Sequence, residues 1–532
     1  MKFKRKRPLG LNEPLRHADH RRPVTRREFL AQGFRGATAT VAGLSVYSLF
    51  ADPRAARAAL APDIQALATG APCFLQGKAG MIPFICFDLA GGGNIAGSNV
   101  LIGGPGGQLD FLSTAGYSRL GLPGNMLPNN SVGAGNFVDQ SLGVAFHSDS
   151  AYLRGIKQRV AVSTAANVNG AIFAEMSQND TGNNQMNPMY GIYTSGFGVL
   201  TPSRGNSGSL LPLIGTQSTV SGGNSMAPSY MIDPTVPPTK VAKSTDVTGL
   251  VSTGQLVGLL SQNDAVAVLE SVERISRKKL DAVDTLLGPS QDAVAKDLVQ
   301  CGYVSASNQV DQFGNASATL NPDLDPQIVG SAGIFSTAEY QSDSNFRATA
   351  AVMKMVVNGY AAAGTIEMGG FDYHTGDRST GEMRDLEAGQ CIGACLEYAA
   401  RMGQPLMIYV FTDGSVVSSG MVDNSVGGRG KGVWTSDNES TAATFFLVYN
   451  PTGRPVAVTN QIGSYTSSGN VNSTSSPGAN AVNLLTEMVV LNYMALHGSA
   501  GAFQTLQWAG GVSTGLGSAS GYDKLIALNP IR

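Results

Sequence analysis

The chain has 532 residues, more than the roughly 100–200 residues of one ordinary domain, so we expect one large α/β domain with insertions. Charged residues make up 14 % of the chain, against roughly 25 % in an average soluble protein, and 42 % of the residues are hydrophobic. This hydrophobic content is enough to form a core and excludes a disordered chain. The formal net charge of -2 gives no support to a basic nucleic-acid-binding protein.

The first 58 residues have the pattern of an export signal. They contain 13 Lys and Arg residues against four acidic residues. The segment Thr25-Arg26-Arg27-Glu28-Phe29-Leu30 precedes a mildly apolar run and then Ala56-Arg57-Ala58, an A-x-A cleavage pattern. This order resembles a twin-arginine signal peptide over residues 1–58 and predicts a periplasmic or extracellular protein. The alternative, a basic N-terminal helix or a membrane anchor, is disfavoured, since a bilayer span needs about 18 or more apolar residues.

Removal of residues 1–58 changes the charge and the expected partners of the chain. The mature chain keeps 23 basic and 34 acidic residues, a net charge near -11, so we expect no nucleic-acid partner. The twin-arginine translocase is the expected partner during export, and the cleaved protein is not expected to be an integral membrane protein. The five cysteines form no C-x-x-C pair, which indicates neither a zinc ribbon nor a dense disulfide framework.

In chain order, the first predicted strand of the mature region is Met81–Phe87, a continuous apolar run of the kind that is buried on both faces of a sheet. Residues of about 100–250 are rich in Gly, Ser, Asn and Pro, and we interpret them as a loop-rich insertion with short strands. Residues 263–287 predict a helix, in which Glu270 with Arg274 and Glu273 with Arg277 have the spacing of ion pairs.

The C-terminal part predicts alternating helices and strands. The predicted elements are a helix over 345–358, a strand over 364–371, a helix that starts with a Ser379–Glu382 capping box and ends at Gly403, and strands over 406–411 and 444–449. Cys391 and Cys395 lie four residues apart in the second helix and are predicted to be buried thiols. Strand, helix and strand in this order form a βαβ unit, which predicts a largely parallel sheet.

Acidic residues follow three of the predicted strands: Asp88, Asp372 with His374, and Asp413. The carboxyl ends of parallel strands meet at one edge of a sheet, where ligands bind. Several carboxylates at that edge repel one another, and a bound cation removes the repulsion. Asp437 is a weaker candidate for the same set. The alternative for each aspartate alone is a turn residue or a helix N-cap.

Four segments occur in the order that is found in a family of exported bacterial proteins of unknown function, placed in the alkaline phosphatase and sulfatase superfamily. They are Leu89-Ala-Gly-Gly-Gly-Asn94, Gly369-Gly-Phe-Asp-Tyr-His374, Thr412-Asp-Gly-Ser415 and Ser436-Asp-Asn-Glu439. The second segment resembles the G-G-W-D-T-H motif of this family most specifically. The resemblance implies an α/β, alkaline-phosphatase-like fold in one domain, residues 59–532, with a mostly parallel central sheet, helices on both faces and long loop insertions.

The resemblance also implies that Asp372 and His374 are metal ligands. The expected cofactor is a divalent metal, for which zinc, manganese, magnesium and calcium are all open. The chain departs from the family motifs at three positions. Asn94 replaces an aspartate, Asp413 replaces a glutamate, and Asn438 replaces a histidine. Each replacement removes a charge or a strong ligand, or shortens the side chain.

Two functional hypotheses follow from these residues. The first is a metal-dependent hydrolase of phosphate or sulfate esters, in which Ser98 is the candidate nucleophile by position and a small anionic ester is the substrate. The alternative for Ser98 is a loop serine or a helix cap. The second hypothesis, which Asn94 and Asn438 favour, is a catalytically degenerate family member that binds a cell-surface component as a surface, adhesion or secretion-associated protein.

Two further polar residues have both a functional and a structural interpretation. Arg378 lies six residues after Asp372 and is a candidate contact for an anionic substrate, although a surface arginine is the alternative. His147 is a candidate distant ligand, and a turn histidine is its alternative. His497 lies at the end of the last predicted helix, where an imidazolium complements the helix dipole.

Overall fold

The computed structural model describes residues 60–69, 81–133, 135–177, 184–196, 211–250, 260–283, 288–313 and 319–532. The predicted signal peptide, residues 1–58, lies outside the described residues. The described chain forms two compact units. The smaller unit contains residues 60–69, 260–283 and 288–313, and the larger unit contains the other described residues.

The helices are α1 Pro62–Thr69, α2 Thr114–Arg119, α3 Ala151–Arg159, α4 Val162–Ala166, α5 Met189–Thr194, α6 Ser244–Gly249, α7 Gln262–Asp281, α8 Pro289–Phe313, α9 Thr337–Ser342, α10 Ser344–Val357, α11 Ser379–Arg401 and α12 Val482–Leu496. The strands are β1 Phe84–Leu89, β2 Val138–Asp139, β3 Phe146–His147, β4 Val168–Ala174, β5 Leu211–Gly215, β6 Thr239–Lys240, β7 Ala361–Met368, β8 Leu406–Thr412, β9 Val416–Asp423, β10 Lys431–Asp437, β11 Ala443–Tyr449 and β12 Gln461–Ile462. Within the described ranges, no helix is both long enough and apolar enough to cross a membrane.

The larger unit is built on an eight-stranded sheet with the order β12-β4-β11-β8-β1-β7-β5-β6. Neighbouring strands are parallel except at β11, which is antiparallel to both β4 and β8. The prediction of an α/β protein with a mostly parallel sheet is therefore confirmed. Residues 100–250, interpreted from the sequence as an insertion, contribute β4, β5 and β6 to this sheet.

Helices cover both faces of the sheet, as the continuous apolar strands predict. All residues of β1 and β8 are buried. On one face, Phe84, Tyr409 and Phe446 pack in a core that includes α5 and α12. On the other face, α10 packs closely on β7, because Gly364 has no side chain and admits Val352 and Val356 of the helix.

The direction of β11 differs from a simple βαβ repeat. A two-stranded antiparallel hairpin, β9 and β10, follows β8 at the carboxyl edge of the sheet. Because the hairpin returns the chain to this edge without a crossover helix, β11 enters the sheet from there and runs antiparallel to β8. Asp437, the last residue of β10, therefore lies near the ends of the parallel strands.

The boundaries of α10 and α11 confirm the predicted C-terminal ends of both helices and correct the predicted start of α11. Gly359 and Gly403 follow the two helices with positive φ angles, as predicted for C-terminal caps. The predicted Ser379–Glu382 capping box is wrong, because Arg378 is at the N-cap position and makes no side-chain cap bond. Asp377 instead accepts from the Ser379 backbone N–H at 2.7 Å.

The smaller unit consists of α1, α7 and α8 around a cluster that includes Ile64, Val266 and Val304. The predicted pairs in α7 are present, with 3.6 Å between Arg274 and Glu270 and 3.8 Å between Arg277 and Glu273. Arg274 also forms a two-bond pair with Asp63 of α1, at 2.7 and 2.8 Å.

Candidate metal centre

The loop after β7 and the end of β10 bring three candidate ligands together. His374 Nε2 lies 2.7 Å from Asp372 Oδ1 and 3.6 Å from Asp437 Oδ2. One ligand atom from each residue lies within 4.8 Å of the other two. The exposed side-chain fractions are 66 % for Asp372, 31 % for His374 and 41 % for Asp437, so solvent reaches the group.

The chemistry of these three side chains suits a divalent metal. One imidazole nitrogen and two carboxylate oxygens form a ligand set that zinc, manganese and iron accept. Three protein ligands on an exposed rim leave coordination positions for water or substrate, which is typical of catalytic rather than structural zinc sites. Asp372, His374 and Asp437 therefore fit the predicted cofactor, and we call them the candidate metal centre.

Asp88 lies in a different environment from the candidate metal centre. It is inside β1 rather than after it, is fully buried, and accepts from the backbone N–H and the hydroxyl of Ser225 at 2.7 and 2.9 Å. Burial raises the pKa of Asp88 to about 7, although the bonds from Ser225 oppose the increase. The charge of Asp413 also raises this pKa, so Asp88 belongs to a second, buried group of acids.

Asp413 follows β8 as predicted and contacts the loop after β1. Its Oδ1 atom accepts from the Gly91 backbone N–H at 2.5 Å, and the side chain is fully buried. Gly91 in turn lies against Asp372, because a Cβ atom at Gly91 would be only 2.6 Å from Asp372 N. Asp413 thus shares a backbone contact with the candidate metal centre, while its carboxylate lies in the buried acidic group.

Ser98 has the contacts of a structural hydroxyl. The side chain is fully buried, and its Oγ atom accepts from Asn94 Nδ2 at 2.5 Å and from Arg378 Nη2 at 3.0 Å. These contacts connect the loop after β1 to the start of α11. A nucleophilic role for Ser98 stays a prediction, and the observed contacts favour the alternative of a loop serine.

Arg378 is not a surface arginine. It is 1 % exposed, and its guanidinium donates to Glu382 Oε1 and lies 4.4 Å from the ring centroid of Trp434. Lys431 Nζ also donates to Glu382 Oε1, at 2.8 Å. The guanidinium of Arg378 is therefore bonded within a buried charge network. In the described conformation it cannot contact a substrate from solvent.

Three other polar residues have structural roles in the described conformation. Asn438 caps a 3₁₀ turn by accepting from the Ser440 backbone N–H at 2.9 Å. His147 is buried, contacts the Met126 carbonyl at 2.9 Å, and has its pKa lowered to about 4 by burial. Burial also lowers the pKa of His497 to about 4, and its Nε2 accepts from the Ile82 N–H at 3.4 Å, so the predicted imidazolium is wrong.

The sequence did not reveal the buried residues that support the candidate metal centre. Tyr373, between the two predicted ligands, is buried and contacts Asp385 of α11, and Glu382 anchors the buried charge network. An available signal was the alternation of polar and aromatic residues through Phe371–His374, which predicts that the aromatic residues share one buried side.

The fold and the site together define an α/β protein with a candidate metal centre at the carboxyl edge of a mostly parallel sheet. Comparisons of the chain with protein-family models, with curated proteins and with solved structures found no match.

Proposed function

We propose that this protein is an exported, alkaline-phosphatase-like hydrolase that binds a divalent metal and cleaves a phosphate or sulfate ester in the periplasm or outside the cell. One observation carries the proposal: Asp372, His374 and Asp437 converge within 4.8 Å on a solvent-accessible rim. The G-G-F-D-Y-H segment and the twin-arginine pattern support the family and the export route.

The arrangement suits the cleavage of an anionic ester. A divalent cation held by these residues would supply Lewis-acid activation of an ester oxygen or of water. Asp372 and Asp437 provide two negative charges, and His374 provides a nitrogen ligand between them. Asp372 and Asp437 are exposed and His374 is partly exposed, so a substrate can reach the site from solvent, which a closed structural site does not allow.

The direct test combines metal content with turnover. Purified mature protein should retain about one divalent metal per chain after dialysis, and it should hydrolyse an aryl phosphate or an aryl sulfate. Asp372→Asn and His374→Ala each remove a ligand and should lower metal affinity by more than the roughly 10- to 100-fold that loss of an outer-shell partner causes. The turnover of the ester should fall in both variants, because less metal is bound.

Asp523→Asn is a matched control, because Asp523 is exposed and lies outside the candidate metal centre. This variant should bind metal and turn over substrate as the wild type does. A wild-type protein that binds no metal would refute the proposal. Equal metal affinity in the wild type and in Asp372→Asn would refute the assignment of the ligands.

A second function, a catalytically degenerate binding protein, is favoured by the burial of Ser98 and by the capping role of Asn438. This function predicts no ester turnover and needs no metal. A third possibility is a metal that serves only to stabilise the loops of the site. Metal should then raise the melting temperature without any ester turnover, because a ligand that binds only the folded state stabilises it. The turnover assay on metal-loaded protein separates the two functions.

A further inference from the structure

The segment that carries two of the three candidate ligands has an exposed side and a buried side. Asp372 is exposed and His374 is partly exposed, whereas Phe371 and Tyr373 are buried. The Tyr373 backbone N–H donates to the Phe371 carbonyl at 2.9 Å, which closes a tight turn around Asp372 and leaves Tyr373 on the buried side of the segment, away from the ligands. Whatever fixes the side chain of Tyr373 also fixes the backbone that joins the two ligands.

The hydroxyl of Tyr373 contacts two other elements of the larger unit. It donates to Asp385 Oδ1 of α11 at 2.8 Å and accepts from the Asn94 backbone N–H at 2.5 Å. The second oxygen of Asp385 accepts from Asn99 Nδ2 at 2.7 Å, and the same Nδ2 donates to the Asn94 carbonyl at 2.9 Å. The bonds therefore close a network between α11, the loop after β1 and the loop after β7.

The ring of Tyr373 is also held by close packing. A Cβ atom at Gly93 would lie 3.3 Å from the Tyr373 hydroxyl, and one at Gly381 would lie 3.0 Å from the ring. Two glycines thus allow the backbone to approach the side chain from both sides. The ring is almost fully buried, so close packing and hydrogen bonds act together on this side chain.

We infer that Tyr373, bonded to Asp385 and Asn94, is the positioning residue of the candidate metal centre and sets the spacing of Asp372 and His374. This inference rests on the proposed metal-binding function. Ligand positions must be held within about 0.5 Å for a productive site, and outer-shell contacts supply that accuracy. Tyr373 acts on the metal only through the backbone and is not a ligand.

The test is Tyr373→Phe, which keeps the ring and removes only the hydroxyl. We expect a roughly 10- to 100-fold loss of metal affinity by isothermal titration with zinc or manganese, the range found for outer-shell partners. The matched control is Tyr493→Phe. Tyr493 is equally buried and donates one bond, to the Ile82 carbonyl at 2.9 Å, at the opposite edge of the sheet. The Tyr493→Phe variant should lose about as much thermal stability as Tyr373→Phe but keep wild-type metal affinity.

Asp385→Asn is a second variant in case Tyr373→Phe does not fold. Its amide offers one acceptor to two donors, Tyr373 and Asn99, so it should also weaken metal binding. Wild-type affinity in a folded Tyr373→Phe protein would overturn the inference, as would an equal loss in Tyr493→Phe. If the wild type binds no metal, the proposed function fails and this inference fails with it. If the wild type binds metal and Tyr373→Phe binds it equally well, only this inference fails.

Discussion

Glu382 is a buried carboxylate that forms ion pairs with three basic side chains. Arg378, Lys431 and Arg154 each lie 2.8 Å from one of its oxygens, and Arg378 and Lys431 are almost fully buried. Burial acts to raise the pKa of Glu382, but the charges of Arg378 and Lys431 outweigh it and hold the pKa at about 2. Removal of this one negative charge leaves two buried cations without their main partner.

We therefore predict that Glu382→Gln lowers the free energy of unfolding by about 3–5 kcal/mol, the cost of breaking a buried ion pair from one side. Urea unfolding of the purified protein measures this change. Lys157→Met is the control, because the pair between Lys157 and Asp139 is partly exposed and should contribute less than about 1 kcal/mol. Similar losses in both variants would contradict the buried network.

The residues of the site differ in how far the sequence predicts them. Asp372 and His374 are predictable as a pair because they lie two positions apart after an apolar strand. Asp437 is a weak prediction, since its position depends on the hairpin that precedes it. Asp88 and Asp413 satisfy the same pattern as Asp372, but their burial depends on Ser225 and Gly91, which are distant in the sequence.

Two loops at the carboxyl edge of the sheet are packed against each other, the loop after β1 and the loop after β7. Gly91 of the first loop has a φ angle of 119°, and a Cβ atom there would lie 2.6 Å from Asp372 N and 2.9 Å from Asp372 Cβ. The Phe371 backbone N–H also donates to the Ala90 carbonyl at 3.2 Å. The position of Asp372 thus depends on the backbone of the loop after β1.

Gly91→Ala should therefore displace Asp372 and lower metal affinity at least about tenfold, since the positions of the metal ligands tolerate shifts of only about 0.5 Å. Metal titration measures the effect. Gly107→Ala is a matched control, because Gly107 also has a positive φ angle, 91°, but no atom lies within 4 Å of its Cβ position. The control should show only backbone strain of about 1–2 kcal/mol and unchanged metal affinity. A normal affinity in Gly91→Ala would argue against this packing.

Helices and central strands are the elements that the sequence predicts best. Continuous apolar runs identify β1, β8 and β11, and glycines mark the ends of α10 and α11, because both signals are local. The hairpin of β9 and β10 has no such signal. The exposed residues of β9 are Ser419, Gly420, Met421 and Val422, which are consecutive and lack the alternation of a half-buried strand. The antiparallel direction of β11 follows from this hairpin and was therefore not predictable.

At the scale of the whole molecule, the carboxyl group of Glu175 lies in the core without a hydrogen-bond partner among the described residues. Glu175 follows β4 and is fully buried. Tyr409 in β8 and Thr444 in β11 are also fully buried. The titratable groups that face Glu175 include Tyr409 and Tyr465, whose pKa values its charge raises further above their usual range.

Burial raises the pKa of Glu175 well above its usual value, so the folded protein holds a proton there that the unfolded chain has lost by neutral pH. The folded state then binds more protons than the unfolded state, and stability falls as the pH rises above about 4.5. One such group contributes a slope of about 1.4 kcal/mol per pH unit until the pH reaches its folded pKa. Asp88, with a pKa of about 7, adds to the same trend below neutral pH.

Glu175→Gln keeps the shape of the protonated side chain and cannot ionise, so we predict that it removes the slope of one proton from the pH dependence of stability. Urea unfolding at a series of pH values above about 4.5 should show the variant gaining stability relative to the wild type as the pH rises, by up to about 1.4 kcal/mol per pH unit, until the pH reaches the folded pKa of Glu175. Glu439→Gln, a change at an exposed glutamate, should keep the wild-type slope. If stability depends on pH in the same way in the wild type and in Glu175→Gln, Glu175 has an ordinary pKa in the folded protein. That result would contradict a buried proton on Glu175.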